Sequence, residues 1–418
     1  MGEPNFRSSW MKSFVADFKI VQIMLGAIIG DTIGSIYEFN NIHTKVFPLF
    51  SKSSTFTDDS IMSMAVAEWL LTDEHHTHSS LIEIMEEYYK DFPNPMGGYG
   101  ARFGVWLGTP TAEKMPYNSF GNGSAMRASA CGWVAKSKDE AMRIAKISAE
   151  VTHNHPEGIK GAQAVAVGVY MMRHGALKCD VADCLQNELG YTFDEDLKGL
   201  QSTYSFDETC QGTIPAAFTA FGESADFEDA IRNAISIGGD SDTVACITGA
   251  FAEAFYKVIP ADIIYEMRKR LPSDWWHIIW RIKAYENHRV APDNIDFLKS
   301  EQIFVFGSNK EGQHYGGAAA YAYKYFHAEW GVGEGRTGLC YALPTMDGLE
   351  EMDKAVGRFT EHALADPDHN YLVTAVGCGI AGYTPEEVAP MFMEAASLPN
   401  VYLPQCFWDE LDKFSKVV

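Results

Sequence analysis

The sequence lacks a hydrophobic run long enough to span a bilayer, and it lacks paired cysteines at C-x-x-C spacing. The most apolar early stretch, IVQIMLGAIIG, is too short to cross a membrane and ends at Asp31. The eight cysteines are scattered singly, which favours reduced structural thiols over a disulfide framework. The first residues show no apolar core of a signal peptide. We therefore expect a soluble, cytoplasmic protein.

Positive charge is also scarce, since the formal net charge is −23. Such an acidic chain is a poor partner for nucleic acid in general or for an anionic membrane surface. A small anion at a local site is still compatible with it.

The chain of 418 residues exceeds what one hydrophobic core usually organises, so two domains are expected. Up to about residue 285, apolar residues recur at helical spacing, and the pattern predicts an all-α domain. The polar stretch 285–302 reads as a linker. Beyond it, the short β-rich runs IFVFGSN, YLVTAVGCG and NVYLPQ alternate with a helical pattern, GGAAAYAYKYFHAEW, as in a small α/β domain. The predicted domain ranges are 1–290 and 300–418.

Two acidic clusters, FTDDS (56–60) and GDSDT (239–243), each open an apolar helix. Aspartate at a helix start is favourable by itself, through capping and the helix dipole, and for either cluster alone this is the alternative to a metal site. A third stretch, GAIIGDTIGSIYEF (26–39), places Asp31 and Glu38 in an otherwise apolar helix without basic partners. Buried carboxylates need partners, and carboxylate and hydroxyl oxygens suit magnesium, manganese or calcium rather than zinc. Two such clusters are enough for a binuclear site.

The motifs GAIIGDTIGSIYE, FTDDS, GNGSAMR, THNHPEG and GGDSDT, in this order, resemble the ADP-ribosylglycohydrolases over about 20–285. The resemblance implies two groups of ligands, one on each side of a centre of two Mg²⁺ ions, with Mn²⁺ as the alternative ion: Thr57, Asp58 and Asp59, and Asp240, Asp242 and Thr243. Ser60 stands where threonine is commoner, outside this ligand set.

For catalysis, the resemblance implies hydrolysis of the glycosidic bond of ADP-ribose, with the metal ions holding the ribose and activating a water. The expected catalytic residues are Glu38, Asp58, Asp59, Asp240 and Asp242. Glu38 matches a glutamate that covers the metal centre in some relatives, and we expect it to position or deprotonate the water. The loop GGYGARFGVW (97–106) lacks an aspartate proposed as the base in some relatives, which leaves the base open.

The same resemblance implies a substrate subsite beside the terminal ribose and diphosphate, and glycines there would let backbone N–H groups approach phosphate. The expected contacts are Gly121, Asn122, Gly123, Ser124, Met126 and His153. An ordinary turn around Asn122 and a structural role for His153 are the alternatives.

In the second domain, VFGSN (305–309), HYGGAAAYA (314–322) and VGCGIAGYTPEE (376–387) resemble a macrodomain, over about 300–406. The resemblance implies ADP-ribose contacts at Asn309, Gly316, Gly317, Gly379, Gly382 and Tyr383. VFGSN departs from the usual asparagine motif, which puts catalysis by this domain in doubt. A glycine-rich α/β domain without a ligand is the alternative.

Together these features predict a magnesium-dependent ADP-ribosylhydrolase with a C-terminal module that binds ADP-ribose or a nucleotide. Its expected partners are ADP-ribose and an ADP-ribosylated protein or small-molecule acceptor. The alternatives are a non-catalytic ADP-ribose or nucleotide sensor and a hydrolase of a free nucleotide sugar.

Overall fold

The computed structural model describes residues 20–21, 24–286 and 289–413, and the chain divides into two compact units, Met1–Ile282 and Lys283–Val418. In the part of the chain that is described, no helix is both long and apolar enough to cross a bilayer. The predicted domain ranges themselves, 1–290 and 300–418, stay predictions.

The first unit is helical, apart from an antiparallel pair of two-residue strands, β1 (Ile20–Val21) and β2 (Val258–Ile259). Its helices are α1 Gly26–Gly34, α2 Asp58–Thr72, α3 His78–Asp91, α4 Ala101–Leu107, α5 Ser129–Val134, α6 Lys138–Glu150, α7 Pro156–Arg173, α8 Lys178–Asn187, α9 Leu197–Thr203, α10 Cys210–Gly222, α11 Phe227–Ile237, α12 Ser241–Tyr256, α13 Ala261–Arg268 and α14 Ser273–Glu286, the last of which extends past Ile282.

Helix α12 lies at the centre of this unit and packs against α1, α7, α10 and α11. Every residue of it up to Ala254 is buried, as expected for a helix that is apolar around its whole circumference. The start of such a helix lies inside the protein. The side chains of its first turn are therefore held in a protein environment rather than in bulk water.

Helices α1 and α12 contact each other through their backbones, because glycines occupy the crossing. A Cβ atom placed on Gly30 would lie 1.9 Å from the carbonyl oxygen of Ala245, and one on Gly34 would lie 2.4 Å from the Cα atom of Asp242. Any larger residue would force the two helices apart. The glycine spacing of α1 thus fixes where the first turn of α12 lies.

The second unit is built on a six-stranded sheet in the order β3-β8-β7-β4-β6-β5, in which β5 alone of these six strands runs antiparallel to its neighbour. The strands are β3 Val290–Ala291, β4 Gln302–Ser308, β5 Gly335–Thr337, β6 Cys340–Pro344, β7 Asn370–Val373 and β8 Val401–Pro404; the helices are α15 Gly317–Tyr325, α16 Leu349–Ala365, α17 Pro385–Val388, α18 Met393–Ala396 and α19 Gln405–Lys413.

The buried strands of this sheet are apolar runs, as parallel strands covered on both faces require. The prediction of a helical fold followed by a small α/β unit is confirmed, whereas the macrodomain assignment stays a prediction. Within the stretch predicted as a linker, 285–302, Val290 and Ala291 form β3 and pair with Leu403 and Pro404 of β8. Because the surrounding residues are polar and Pro292 follows directly, the sequence pattern did not predict this short edge strand.

Candidate active site

The start of α2 is held against α1 by one buried carboxylate, that of Asp31. It accepts hydrogen bonds from the backbone N–H of Thr57 at 2.9 Å and its hydroxyl at 2.7 Å, and from the backbone N–H of Ser60 at 3.1 Å. The Ser60 hydroxyl also donates to it. Asp31, which the sequence presents as a carboxylate without partners, is therefore satisfied by hydroxyl and amide donors. Ser60, outside the predicted ligand set, serves this anchor.

Capping does not account for the paired aspartates. The N-cap of α2 is Thr57, whose hydroxyl accepts from the backbone N–H of Asp59 at 3.2 Å. The N-cap of α12 is Asp240, and its side chain makes no capping hydrogen bond. The side chains of the aspartates that follow each N-cap residue are therefore not used to cap the helices.

The turn before α12 depends on two left-handed glycines, Gly238 (φ 79°) and Gly239 (φ 74°). Asn41 fixes the second glycine, since its side chain donates to the Gly239 carbonyl at 2.8 Å and accepts from the Gly239 N–H at 2.9 Å. A Cβ on Gly239 would lie 2.5 Å from the ring of Tyr204. Ser241 donates to the same carbonyl at 3.3 Å, which gives this residue a structural contact. Asn41 carried no recognisable motif in the sequence.

The two helix starts open into one cavity of about 500 Å³. Carboxylate oxygens of Glu38, Asp240 and Asp242 lie within 4.8 Å of one another. Asp58, Asp59 and Thr243 line the same cavity, but Thr57 is not among its lining residues. Buried oxygens Oδ2 of Asp59 and Oδ1 of Asp242 have no hydrogen-bond partner in the described structure. Glu38, which the sequence analysis placed outside the ligand set, is thus within reach of the proposed ligands.

Burial and mutual repulsion raise the pKa of these acids. Burial, together with the charges of Asp242, Asp31 and Glu208, raises the pKa of Glu38 to about 8. The pKa of Asp240 rises to about 6, mainly through burial, although hydrogen bonds from Asp242 and Asn122 oppose the rise. Burial first, and neighbouring carboxylates second, raise the pKa of Asp58, Asp59 and Asp242 well above its usual range.

These properties fit a divalent cation. The donor set consists of hard oxygen atoms, two of them buried and unpartnered, and the leading charges that shift these pKa values are negative. Such a group of carboxylates is costly when ionised and becomes favourable once a cation neutralises it. The site is therefore suited to bind metal.

The glycine-rich loop GNGSAMR contributes a second wall of the cavity. Asn122 donates through its side-chain amide to Oδ2 of Asp240 at 2.7 Å and to Thr213 at 3.0 Å. Gly121, Gly123 and Met126 line the cavity beside it. Ser124 is not among the lining residues; its hydroxyl donates to the Gly158 carbonyl at 2.7 Å. Asn122 therefore contacts the acidic group directly, while Ser124 fixes the loop through its hydrogen bond to the Gly158 carbonyl.

A buried chain of hydrogen bonds orients His153, which also lines the cavity. Arg127 donates to the Thr152 hydroxyl at 2.9 Å, and that hydroxyl lies 2.7 Å from Nδ1 of His153. Burial, with the charges of Arg127 and Arg102, lowers the pKa of His153 well below its usual range. Because the Thr152 hydroxyl accepts from Arg127, its own proton is free to point at Nδ1 of His153. His155 instead caps α7, accepting from Glu157.

Sequence reasoning missed several lining residues, chiefly Phe39, Arg102, Tyr117, Phe206 and Glu208. Arg102 lies in the first turn of α4, so the stretch 97–106, which the sequence analysis treated as a loop, is helical from Ala101 onwards. Its guanidinium covers the ring of Tyr117 at 4.8 Å. Phe206 and Glu208 belong to a loop without a recognisable motif. Because these two residues are exposed and lie in a loop, the sequence around them shows no helical or strand periodicity.

In the second unit, the predicted contacts lie in loops that follow β4 and β7. Asn309 follows β4 and accepts from the backbone N–H of Gln313 at 2.9 Å. Gly316 is the N-cap of α15, which begins at Gly317. Gly379, Gly382 and Tyr383 occupy the loop between β7 and α17. Both loops leave the carboxyl ends of neighbouring parallel strands, so the fold brings them to one edge of the sheet.

The helical unit matches a known family along its length: the sequence model described as ADP-ribosylglycohydrolase matches residues 15–286. The chain belongs to the ADP-ribosylglycohydrolase family. The expected family is thereby confirmed, and so is the expectation of an enzyme that hydrolyses glycosidic bonds.

Individual members of the ADP-ribosylglycohydrolase family show the extent of the similarity. The chain is 25% identical to ADP-ribosylhydrolase ARH3 of Homo sapiens, over 56% of this chain and 84% of that protein. It is 23% identical to ADP-ribosylarginine hydrolase Tri1 of Pseudomonas putida, over 61% of this chain and 77% of that protein. A solved ADP-ribosylglycohydrolase-related protein complex contains a chain that superposes with a TM-score of 0.50 at 22% identity, covering 62% of this chain and 95% of that one. This structural likeness concerns the fold alone.

Proposed function

We propose that this protein is a magnesium-dependent ADP-ribosylhydrolase, which cleaves the glycosidic bond between ADP-ribose and an acceptor. The observation that carries the proposal is the convergence of carboxylates from two helix starts in one cavity, with unpartnered buried oxygens on Asp59 and Asp242. The names of the relatives ARH3 and Tri1, both hydrolases of ADP-ribosyl groups, support the substrate class.

We propose the six sequence-predicted metal ligands for two Mg²⁺ ions, with Mn²⁺ as the alternative. Asp58, Asp59, Asp240, Asp242 and Thr243 offer oxygen atoms to the cavity. Thr57 joins them only through the lone pair that is left after its hydroxyl accepts from Asp59 and donates to Asp31. Bound there, a divalent cation supplies a fixed positive charge for the ribose hydroxyls and lowers the pKa of a water molecule.

The chain's own residues supply the remaining chemistry. The four aspartates place negative charge beside the anomeric carbon, where an oxocarbenium-like transition state develops positive charge. Glu38, whose carboxylate lies within reach of Asp240 and Asp242, positions or deprotonates the attacking water. Asn122 keeps one oxygen of Asp240 engaged, so this carboxylate cannot rotate freely.

The other wall of the cavity suits the diphosphate. Gly121 and Gly123 let the ligand approach the backbone closely, and His153, whose Nδ1 is engaged by Thr152, keeps Nε2 for the ligand. Arg102 and Arg127 also line this cavity, and within the described part of the chain neither forms an ion pair with a carboxylate. A ligand with negative charge at one end and a neutral sugar at the other matches this arrangement.

For the second unit we propose a module that binds ADP-ribose or a nucleotide, with Asn309, Gly316, Gly317, Gly379, Gly382 and Tyr383 as contacts. Loops at the carboxyl ends of parallel strands, next to the point where strand order reverses, are common ligand sites. In this sheet the chain passes from β6 on one side of β4 to β7 on the other. Calorimetry with ADP-ribose on full-length Asp240→Asn protein tests this, since Asn309→Ala and Tyr383→Ala should each weaken one binding event.

Hydrolysis assays test the proposal for the helical unit. We expect release of ADP-ribose from ADP-ribosylated protein or small conjugates with Mg²⁺, and none after chelation. Binding without turnover of any ADP-ribosyl substrate would indicate a sensor instead. Turnover of free nucleotide sugars alone would indicate the metabolite hydrolase.

A further inference from the structure

Two arginines lie in the wall of the cavity, and their surroundings differ. Arg127 is completely buried, and its guanidinium donates inward, to the Ser148 carbonyl at 2.9 Å and to the Thr152 hydroxyl at 2.9 Å. Arg102 is exposed, and within the described residues its hydrogen bond goes to the backbone carbonyl of Tyr117. A ligand in the cavity can therefore reach the guanidinium of Arg102, whereas that of Arg127 is enclosed by protein.

Tyr117 holds the Arg102 side chain in place. The guanidinium carbon lies 4.8 Å from the centroid of the Tyr117 ring, and the guanidinium donates to the carbonyl of the same residue. These two contacts restrict a side chain that is otherwise flexible, which lowers the entropy cost of binding a ligand. No carboxylate in the described part of the chain forms an ion pair with Arg102. Its charge is thus available to an anionic ligand.

The ring of Tyr117 connects Arg102 to His153 and to the glycine-rich loop. The ring centroids of Tyr117 and His153 lie 6.0 Å apart. A Cβ atom on Gly121 would lie 3.6 Å from Nε2 of His153, and one on Gly123 would lie 3.4 Å from it, so this nitrogen faces both glycines. Arg102, His153 and the two glycines all line the cavity, and they form one continuous wall of it.

This wall meets the acidic group at Asn122, which lies between the two glycines and donates to Asp240 at 2.7 Å. A ligand that spans the cavity therefore has one end beside the candidate metal ligands and the other end beside Arg102. A guanidinium and the backbone amides that glycine leaves accessible both favour the oxygen atoms of phosphate.

We propose that Arg102 determines the specificity of the enzyme for ribosyl substrates that carry phosphate, because its guanidinium binds the diphosphate. This inference rests on the proposed function and adds the residue that distinguishes an ADP-ribosyl group from an uncharged riboside. A guanidinium binds phosphate oxygens through parallel N–H groups, and such charge-assisted hydrogen bonds are about twice as strong as neutral ones. Tyr117 is a positioning residue for Arg102.

Inhibition of hydrolysis tests this assignment on the full-length protein, with Mg²⁺ in excess over the nucleotide. The paired probes are ADP and adenosine, which differ in the diphosphate, and we expect ADP to inhibit the wild type more strongly. Arg102→Gln should weaken inhibition by ADP by about tenfold or more, as for the loss of a charged hydrogen bond, and should leave inhibition by adenosine unchanged. Arg102→Lys keeps the charge without the fork of N–H groups and should give an intermediate value. Arg143→Gln, at an exposed position of α6, is the matched control and should behave as the wild type.

The kinetic constants separate binding of the diphosphate from a general loss of activity. Arg102→Gln should raise KM for the ADP-ribosylated substrate with little change in kcat, because the diphosphate is bound equally before and during hydrolysis. Tyr117→Leu should raise KM by a smaller factor. Tyr117→Phe, which keeps an aromatic ring beside the guanidinium, should retain the wild-type KM.

Calorimetry with ADP on the full-length protein gives a readout that needs no turnover, and Arg102→Gln should weaken one binding event in it by about tenfold or more. Unchanged affinity for ADP in this variant, or equal losses for ADP and adenosine, would overturn the Arg102 proposal and leave the hydrolase proposal intact. Failure of the wild type to cleave any ADP-ribosyl substrate would instead overturn the proposed function, and calorimetry would still decide whether Arg102 binds the diphosphate.

Discussion

The side-chain amide of Asn122 donates to Oδ2 of Asp240 across 2.7 Å, and so joins the glycine-rich loop to the first turn of α12. The same amide group donates to Thr213, and the Asn122 backbone N–H donates to the Glu208 carbonyl. Three contacts therefore fix the position of this residue. A sequence motif interpreted only as a substrate loop also orients an acid of the candidate metal site.

Replacing Asn122 with aspartate should weaken metal binding. The variant removes a donor and adds a carboxylate next to Asp240, which has a raised pKa already. Loss of an outer contact of this kind costs about 10- to 100-fold in metal affinity. Titration with Mg²⁺, followed by the gain in melting temperature, measures the effect. Asn187→Asp, at the exposed end of α8, is the matched control, and equal Mg²⁺ affinity in both variants would contradict the assigned role.

Replacing Gly34 with alanine should disturb the candidate metal site by displacing the first turn of α12. The added Cβ would lie 2.4 Å from the Cα atom of Asp242, so α1 and α12 must separate or bend. Overpacking of this kind costs about 1–3 kcal/mol in the free energy of unfolding. Urea denaturation measures this loss, and Mg²⁺ affinity should fall with it.

The control for this prediction is Gly222→Ala at the exposed end of α10, where no atom lies within 4 Å of the new Cβ. A glycine-to-alanine change there should be neutral or stabilising. If Gly34→Ala were as stable as Gly222→Ala, the close backbone contact would not be needed to place Asp242.

Much of this arrangement could be predicted from the sequence, because it depends on local patterns. Helical periodicity and the buried character of α12 follow from its composition, and the paired aspartates stand next to their own helix starts. The sequence of one short stretch does not show which distant loop it will contact in the folded protein. The contact of Asn41 with Gly239 and that of Asn122 with Asp240 join residues more than a hundred positions apart.

The role of Asp31 shows the same limit. The sequence presented Asp31 as a carboxylate without a basic partner, but its donors lie 26 and 29 residues further along the chain. Only the fold brings Thr57 and Ser60 next to it. The short strands β3 and β5 were missed for a related reason, since two or three residues carry no alternation from which a strand can be recognised.

The metal-free protein should become less stable as pH rises. The pKa of Asp240 rises from 3.8 to about 6 and that of Glu38 from 4.5 to about 8, so the folded state holds protons that the unfolded chain has released. Stability is therefore greatest below the unfolded values and falls as pH increases through about 4 to 8. Melting temperatures measured in chelator across this range check the sign.

Added Mg²⁺ should oppose this trend, because it binds the deprotonated carboxylates and competes with protons. The gain in melting temperature on adding Mg²⁺ should grow from about pH 5 to pH 8. A metal-free melting temperature that rises over the same interval would contradict the raised pKa values.

Replacing Asp242 with asparagine should maintain or raise the stability of the metal-free protein while it abolishes the enzymatic activity. The pKa of this carboxyl is raised by burial and by Asp240 and Asp31, and its Oδ1 is buried without a partner, so the charge destabilises the metal-free fold. The isosteric amide removes that repulsion, and we expect a metal-free melting temperature at or above that of the wild type near pH 8. The same change should abolish Mg²⁺-dependent hydrolysis and the stabilisation by Mg²⁺.

The control is Asp194→Asn, in the segment between α8 and α9, which should leave both the hydrolysis and the stabilisation by Mg²⁺ unchanged. An Asp242→Asn protein that is stabilised by Mg²⁺ as strongly as the wild type would refute the ligand assignment, and one that unfolds without metal would show that the carboxylate supports the fold itself.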